Sequence, residues 1–164
     1  MKARILAVGQ KMPTWVQTGC NDYLKRIQPM LNTEIVEIPA YKRSKNPSAA
    51  ELEKYALNEG GLILQAHANA KKERLICLDV RGKNLSTEDL AKKISDAMQV
   101  GDDMGFVIGG ADGLSKEVLA KADFKWSLSN LTLPHPLVRV LLVEQLYRAM
   151  TIINHHPYHR GDYF

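Results

Sequence analysis

Cysteine is scarce in this chain. Cys20 and Cys77 are the only two among 164 residues, and neither stands in a CxxC or Cys/His spacing. A disulfide framework and a structural zinc site both need more cysteines, more closely spaced. The chain must therefore fold on a hydrophobic core, and a domain of this size buries roughly 70% of the surface of its unfolded chain. The length favours one domain covering residues 1–164.

Long apolar runs are missing as well. The first run, 5–8, is far shorter than the core of a signal peptide, and no segment approaches the roughly 20 apolar residues that span a bilayer. We therefore expect no membrane partner. The cytoplasm is the expected compartment, and the scarcity of cysteine agrees with it.

Three common sequence signatures are absent. The chain has no GxGxxG fingerprint, no GxxxxGK[ST] phosphate loop and no GxSxG elbow. The first two absences disfavour dinucleotide redox chemistry and nucleotide-triphosphate chemistry. The third, with no basic motif near either cysteine, disfavours covalent hydrolase chemistry.

The charge that is present is mildly basic. Lysine and arginine number 22 against 18 acidic residues, which gives a net charge of +4. A positive balance favours a polyanionic partner such as RNA, although many basic proteins bind nothing acidic.

Hydrophobic periodicity predicts alternating strands and helices. Apolar runs predict strands at 2–8, 33–38, 74–79, 105–108 and 124–128. Capping signals and helical spacing predict helices at 13–27, at 48–67 with a weak point at Gly60 and Gly61, from Ser86 with Leu90, Ile94 and Met98 on one side, and from Pro136. This alternation is typical of a single α/β domain with a mostly parallel sheet and helices on both faces.

Three segments follow strands at the edge where open parallel sheets bind ligands. They are 78–82, 109–113 and 129–134. The glycines of the second segment allow close approach of a ligand, but a plain tight turn explains them too. The third is either one more edge strand or a stiff loop whose free backbone groups suit an adenine edge.

The last predicted helix and the tail after it are unusual. Apolar residues from 137 to 153 cover more than one stripe, which indicates a homodimer surface or a fully buried helix. His135, just before this helix, suits a catalytic or a capping role. In the tail, Pro157 interrupts His155, His156 and His159, so a metal site is disfavoured. Tyr158 and Arg160 beside them suit RNA, whereas a solvated chain end is the plain alternative.

Several motifs, spread over the whole chain, occur together. They are VGQKMP at 8–13, WVQTG at 15–19, IP at 38–39 with KR at 42–43, IGG at 108–110, GLS at 113–115, WSLS at 126–129, LTLPHPLVRV at 131–140, and NH at 154–155 with PYHR at 157–160. In these motifs the chain closely resembles the ribosomal RNA large subunit methyltransferase H family. Its members are pseudouridine N3-methyltransferases of the knotted SPOUT class.

The resemblance implies a C-terminal trefoil knot, a homodimer and S-adenosylmethionine as the cofactor, with no metal. The cofactor contacts of the family fall here on Leu78, Gly110, Ser129, Asn130, Leu131, Thr132, Leu133 and Pro134. These residues belong to the three segments that follow strands.

The implied substrate is a pseudouridine in the intersubunit-bridge hairpin loop of 23S rRNA, methylated on the assembled ribosome. We expect residues 155–164 to form a substrate tail that completes the active site of the partner protomer. In it, Arg160 would stabilise the developing anion, His159 or a water would accept the proton, and Tyr158 would position the base.

Two further expectations concern a basic loop and the last four residues of the chain. Lys42, Arg43 and Lys45 would contact phosphate. Gly161 to Phe164 extend beyond the family pattern and would point to solvent or extend the RNA contact. A non-catalytic ribosome- or RNA-binding α/β module is the alternative function.

Overall fold

The computed structural model describes residues 1–160, and the predicted tail residues 161–164 lie outside the described part. Its strands are β1 (Lys2–Val8), β2 (Asn32–Ile38), β3 (Glu73–Asn84), β4 (Asp103–Ile108) and β5 (Phe124–Ser127). Its helices are α1 (Thr14–Ile27), α2 (Ala49–Ala68), α3 (Thr87–Val100), α4 (Lys116–Lys121) and α5 (His135–Ile153), followed by a 3-10 turn at Pro157–His159.

All five strands form one parallel sheet in the order β2-β1-β4-β3-β5. The predicted α/β architecture is therefore confirmed. Because parallel neighbours need a crossover, helices connect the strands and return the chain to the opposite edge. The trefoil knot stays a prediction.

Alternate residues of the strands face opposite layers of helices. On β1, Ile5 and Ala7 pack with the layer of α1, α3 and α5, whereas Leu6 and Val8 pack with α2 and α4. Successive side chains of a strand point to opposite faces, so a sheet covered on both sides needs a continuous apolar run. The apolar runs that predicted the strands arise because both faces of the sheet are covered by helices.

Helix α5 lies between α1 and α3, and most of its circumference is covered within the chain. Its outer face keeps some apolar exposure, since Leu141 is 37% exposed. The structure thus lies between the two alternatives of a fully buried helix and a helix with a free apolar surface. In residues 1–160 there is no helix with the length and apolar character to span a membrane.

The structure differs from the local predictions in three places, and it shows one continuous helix where the glycines of α2 predicted a weak point. Helix α4 was not predicted, because its six residues are too few for a periodic pattern; Ser115 caps it by accepting from the N–H of Val118. Met98 was expected on the buried side of α3 with Leu90 and Ile94, but it is 39% exposed, and Ala97 is buried instead. Strand β3 continues to Asn84, past an irregularity in its register with β5. Helix α2 runs without interruption through its two glycines.

Candidate active site

A cavity of about 450 Å³ lies at the carboxyl ends of β3, β4 and β5. Its walls come from the segments after these strands and from the first turn of α5: residues 78–81, 108–114, 126–129, 131, 133–135 and 138. Pockets for small molecules have volumes of roughly 300–1,000 Å³ and combine apolar walls with a few polar groups. The cavity has that size and that character.

Six of the eight predicted cofactor residues line this cavity: Leu78, Gly110, Ser129, Leu131, Leu133 and Pro134. Asn130 and Thr132 are exposed and do not line it. The segment is a loop, so the alternative of an edge strand is wrong. Its alternating side chains still point to opposite sides, as in any extended chain, which explains why every second residue reaches the cavity.

The loop is held by its own serines. Ser127 donates from Oγ to the carbonyl oxygen of Ser129 (2.9 Å), and the Oγ of Ser129 accepts from the N–H of Leu131 (3.0 Å). These bonds set the direction of the extended segment that follows. The two prolines after it, Pro134 and Pro136, remove further freedom.

The glycine segment is a tight turn that also forms a wall of the cavity, so both interpretations of its glycines hold. The N–H of Gly113 donates to the carbonyl oxygen of Gly110 (3.1 Å), and Gly113 has a φ of +78°. A Cβ on Gly110 would lie 3.1 Å from Val8 and 3.2 Å from Oε1 of Glu59. The turn therefore packs directly on the core and on a buried carboxylate.

Residues 79–81 form a further wall of the cavity that the predicted cofactor residues did not include. Asp79 accepts from the backbone N–H of Arg81 (3.0 Å) and pairs with its guanidinium (3.2 Å). Burial raises the pKa of the Asp79 carboxyl, but the hydrogen bonds from Arg81 outweigh it, so the net pKa lies below the ordinary value. At Gly82 a Cβ would lie 2.6 Å from the backbone of Lys125, so only glycine lets this segment return to β5.

The sequence predicted that Arg43 contacts phosphate, but in the structure its side chain is turned towards two carboxylates. Its guanidinium pairs with Glu59 (3.1 Å) and with Asp112 (2.6 Å). Glu59 is 2% exposed and also accepts from the N–H of Tyr41 (2.9 Å). A charge that satisfies a buried carboxylate is not available to RNA. Of the three basic loop residues, Lys42 and Lys45 are exposed.

His135 is the first residue of α5 and lines the cavity, half-buried. The cap of this helix, Pro134, makes no side-chain capping bond, and the imidazole makes no hydrogen bond within residues 1–160. The capping role is therefore not seen. Burial lowers the pKa of His135, and the nearby cations Arg139 and Arg43 lower it further.

The predicted catalytic tail lies away from the cavity of its own chain. The ring of Tyr158 packs against Tyr147 (4.7 Å between centroids) and below the guanidinium of Arg148 (4.7 Å). Burial raises the pKa of Tyr158 to about 12, with a smaller contribution from Glu144. Helix α5 separates the two regions, since its 19 residues extend over about 28 Å at 1.5 Å per residue.

The other two tail residues differ in their contacts. His159 lies 2.7 Å from Oε1 of Glu88 through Nε2 and 3.4 Å from Nη1 of Arg148 through Nδ1. Arg160 is exposed, and its side chain forms no hydrogen bond or ion pair within the described residues. No cluster of three histidine, cysteine or acidic side chains suited to a metal occurs between residues 1 and 160.

Comparison with known proteins identifies the family. Residues 1–159 match the family model described as "Predicted SPOUT methyltransferase". The ribosomal RNA large subunit methyltransferase H of Psychrobacter arcticus is 70% identical over 99% of this chain and 100% of its own length. That of Acinetobacter baumannii is 55% identical over 98% of this chain and 100% of its own. This chain belongs to the ribosomal RNA large subunit methyltransferase H family of SPOUT methyltransferases.

Solved structures of more distant relatives share the fold of this SPOUT chain. A probable methylase family protein from Haemophilus influenzae has a TM-score of 0.52 at 14% identity, over 93% of this chain and 66% of its own. A putative methylase family protein from Neisseria gonorrhoeae has a TM-score of 0.52 at 15% identity, over 90% of this chain and 82% of its own.

Family membership confirms the resemblance and the predicted enzyme class. The protein is an rRNA methyltransferase of the SPOUT class, and the non-catalytic module is set aside. The methyl donor of this class is the predicted S-adenosylmethionine, and the cavity suits it. Its apolar walls accommodate a purine, the loop 129–134 contributes polar backbone, and the turn at Gly110 has no room for a side chain.

Proposed function

We propose that this protein methylates N3 of a pseudouridine in the intersubunit-bridge hairpin loop of 23S rRNA, on the assembled ribosome, with S-adenosylmethionine as the methyl donor. One observation carries the proposal above others. The cavity at the carboxyl ends of β3, β4 and β5 is built from the segments that the family resemblance assigned to the cofactor. Assembled ribosomes as the substrate place this activity in the cytoplasm.

The cofactor, when bound, supplies an electrophilic methyl group on a sulfonium, which is a good leaving group without an acid. The chain therefore has two tasks, to align the acceptor nitrogen with that methyl group and to help this nitrogen lose its proton. Leu78, Leu131 and Leu133 are suited to hold the apolar part of the cofactor. The glycine turn and the loop 129–134 are suited to orient it through backbone groups.

The separation of the cavity from the tail supports a homodimer. Helix α5 separates Tyr158, His159 and Arg160 from the cavity of their own chain. If these residues act in catalysis, a second copy of the chain is the simplest source of them. The surface of α1 and α5 suits that contact. Trp15 of α1 is 56% exposed and Leu141 of α5 is 37% exposed, and Gly19 of α1 lies next to Val140 of α5. Burial of these side chains in a contact between two copies would favour association.

The tail then supplies the RNA-facing part of the partner's active site. Arg160, whose guanidinium is exposed, stabilises the negative charge that develops on the imide carbonyl of the target base. Tyr158 keeps its hydroxyl protonated, because its pKa is raised to about 12, and positions the base. Lys42 and Lys45 contact phosphate, an interaction that weakens with salt.

Mass spectrometry of 23S rRNA from cells that lack this protein tests the proposal. We expect the N3-methylpseudouridine of the bridge hairpin to disappear and to return when the purified protein and S-adenosylmethionine are added to 70S ribosomes. An unchanged level in the deleted strain would remove the proposed substrate. Equal transfer to free 23S rRNA would remove the assembled ribosome as the requirement.

A further inference from the structure

Two histidines lie in the regions proposed to meet in the dimer, and their hydrogen bonds differ. The Nε2 of His159 lies 2.7 Å from a carboxylate oxygen of Glu88, and its Nδ1 lies 3.4 Å from Nη1 of Arg148. An ionised carboxylate only accepts and a guanidinium only donates. Nε2 therefore carries the proton and Nδ1 accepts from Arg148, so His159 has no free lone pair.

His135 has the opposite character. Its ring lines the cavity and is half-buried, and neither ring nitrogen has a hydrogen-bond partner in the described chain. Both edges of the imidazole are thus open to a ligand or a water.

His135 also lies close to a second groove of the described chain. Its Nε2 lies 3.9 Å from the point that a Cβ on Gly9 would occupy, and Nη2 of Arg139 lies 3.6 Å from the same point. Arg139 borders a second groove, of about 490 Å³, which runs along α1 and β2 and includes Lys11 and Met12. His135 therefore stands at the boundary between the cofactor cavity and this groove.

The charged groups around His135 favour the neutral ring. From its own helix it faces Arg139, which is paired with Glu37 of β2 (2.7 Å). From the loop between β2 and α2 it faces Arg43, which is held by Glu59 of α2 and Asp112 of the glycine turn. With burial, these two cations keep the pKa of His135 below its ordinary value, so the ring is unprotonated at neutral pH.

We propose that His135, rather than His159, accepts the proton from N3 of the target base. This inference rests on the proposed methyl transfer and adds its general base. The imidazole takes the proton from N3, N3 forms its new bond to the transferred methyl carbon, and the electron pair of the broken carbon–sulfur bond stays on sulfur. The imidazolium then releases the proton to water, which balances the reaction.

Two substitutions, His135→Gln and His135→Asn, test the role in the full-length dimer. We expect kcat for methyl transfer to 70S ribosomes to fall about 100-fold or more, the usual range of general-base catalysis. The affinity for S-adenosylmethionine, measured by calorimetry, should stay within about twofold. His67→Gln is the matched control, because His67 is a partly buried histidine paired with Glu73 far from the cavity; it should leave both values unchanged.

The pH profile separates a base from a structural residue. In the variants, kcat should rise about tenfold per pH unit toward pH 9, because solvent then removes the imide proton instead. The wild-type profile should level off once His135 is neutral. Variants that turn over like the wild type, or that lose cofactor affinity in the same proportion as kcat, would overturn the proposal.

Nuclear magnetic resonance of the free protein gives a readout that needs no turnover. The His135 ring should titrate below the ordinary histidine range, and Arg43→Gln should raise its pKa. A ring that titrates at or above the ordinary value would count against the proposal. If the wild-type protein transfers no methyl group to ribosomes, the proposed function itself is wrong. If the wild-type protein is active and the His135 variants are equally active, only the role of His135 is wrong.

Discussion

Arg43 donates from Nε to Oδ2 of Asp112 over 2.6 Å, across 69 positions of sequence. The bond joins the loop after β2 to the glycine turn of the cavity. The same guanidinium pairs with the buried carboxylate of Glu59. Oε1 of Glu59 lies 3.2 Å from the position that a Cβ atom on Gly110 would occupy. The turn that lines the cavity is thus positioned by a network of ion pairs that includes a buried carboxylate.

We expect Asp112→Asn to weaken S-adenosylmethionine binding about three- to tenfold. The substitution removes one charge-assisted hydrogen bond, worth roughly 1 kcal/mol when partly exposed, from the turn. Calorimetry measures the affinity, and thermal unfolding should change little. Asp22→Asn breaks an exposed pair on α1 and is the control; equal affinity in both variants would show that the network does not position the turn.

Arg160→Ala should lower kcat for methyl transfer about 100-fold and leave cofactor affinity within about twofold. The guanidinium acts on the developing charge of the base and does not touch the cofactor cavity of its own chain. Single-turnover transfer to 70S ribosomes and calorimetry measure the two quantities. Arg74→Ala, which removes a partly exposed arginine at the amino end of β3, is the control. Parallel loss of affinity and rate would contradict the assignment.

The neighbouring glycines of α2 should respond with opposite signs. A Cβ on Gly60 would collide with Oγ of Ser115, whereas one on Gly61 meets nothing within 4 Å. We expect Gly60→Ala to lower the free energy of unfolding by about 1–3 kcal/mol through overpacking. Gly61→Ala should raise it by about 0.5–1 kcal/mol through helix propensity. Urea unfolding decides, and two changes of the same sign would refute the packing of α2 on Ser115.

Leu141→Lys should convert the dimer to a monomer, because it places a charge on the apolar outer face of α5. Sedimentation velocity measures the mass. Methyl transfer should fall with dissociation while the monomer keeps its fold by circular dichroism. Leu57→Lys, on an exposed site of α2, should leave the mass unchanged. A monomeric wild-type protein with full activity would disprove the composite site.

Both cysteines should be inert in the folded protein. Burial, with the nearby carboxylate of Asp79, raises the pKa of Cys77 to about 12, and burial raises that of Cys20. Because the thiolate is the nucleophile, a raised pKa leaves almost none of it at pH 8. A disulfide reagent should titrate no thiol at that pH until denaturant is added. Rapid labelling of the native protein would contradict the burial of these side chains.

Local signals predicted most of the fold. The apolar runs of the strands and the caps at Ser48 and Ser86 need only near neighbours. Ser48 forms the predicted capping box with Glu51, and Ser86 caps α3 as predicted, in a box with Asp89 that was not predicted. Helix α4 was not predicted because six residues are too few to show a helical periodicity of apolar positions. Met98 was misplaced because Ala97 and Met98 both fall near one helical stripe, and only the packing against the sheet decides which is buried.

The candidate site was found in outline for a topological reason. Parallel strands end at one edge, so residues after β3, β4 and β5 had to come together. Which side chains of the loop 129–134 face inward depended on its extended backbone. Asn130 and Thr132 do not line the cavity, and their contact with the cofactor stays a prediction.

The sequence by itself determined the alternation of elements, the edge of the sheet that carries the cavity, and the family. Periodicity, capping and motifs are local, and each can be read within a few turns of chain. The tertiary structure decided the partners of the charged groups. Arg43, expected to contact phosphate, supports the cavity instead, and His159 is paired with Glu88. Asp112, Glu59 and Glu88 reach these side chains only through the packing of the sheet and its helices.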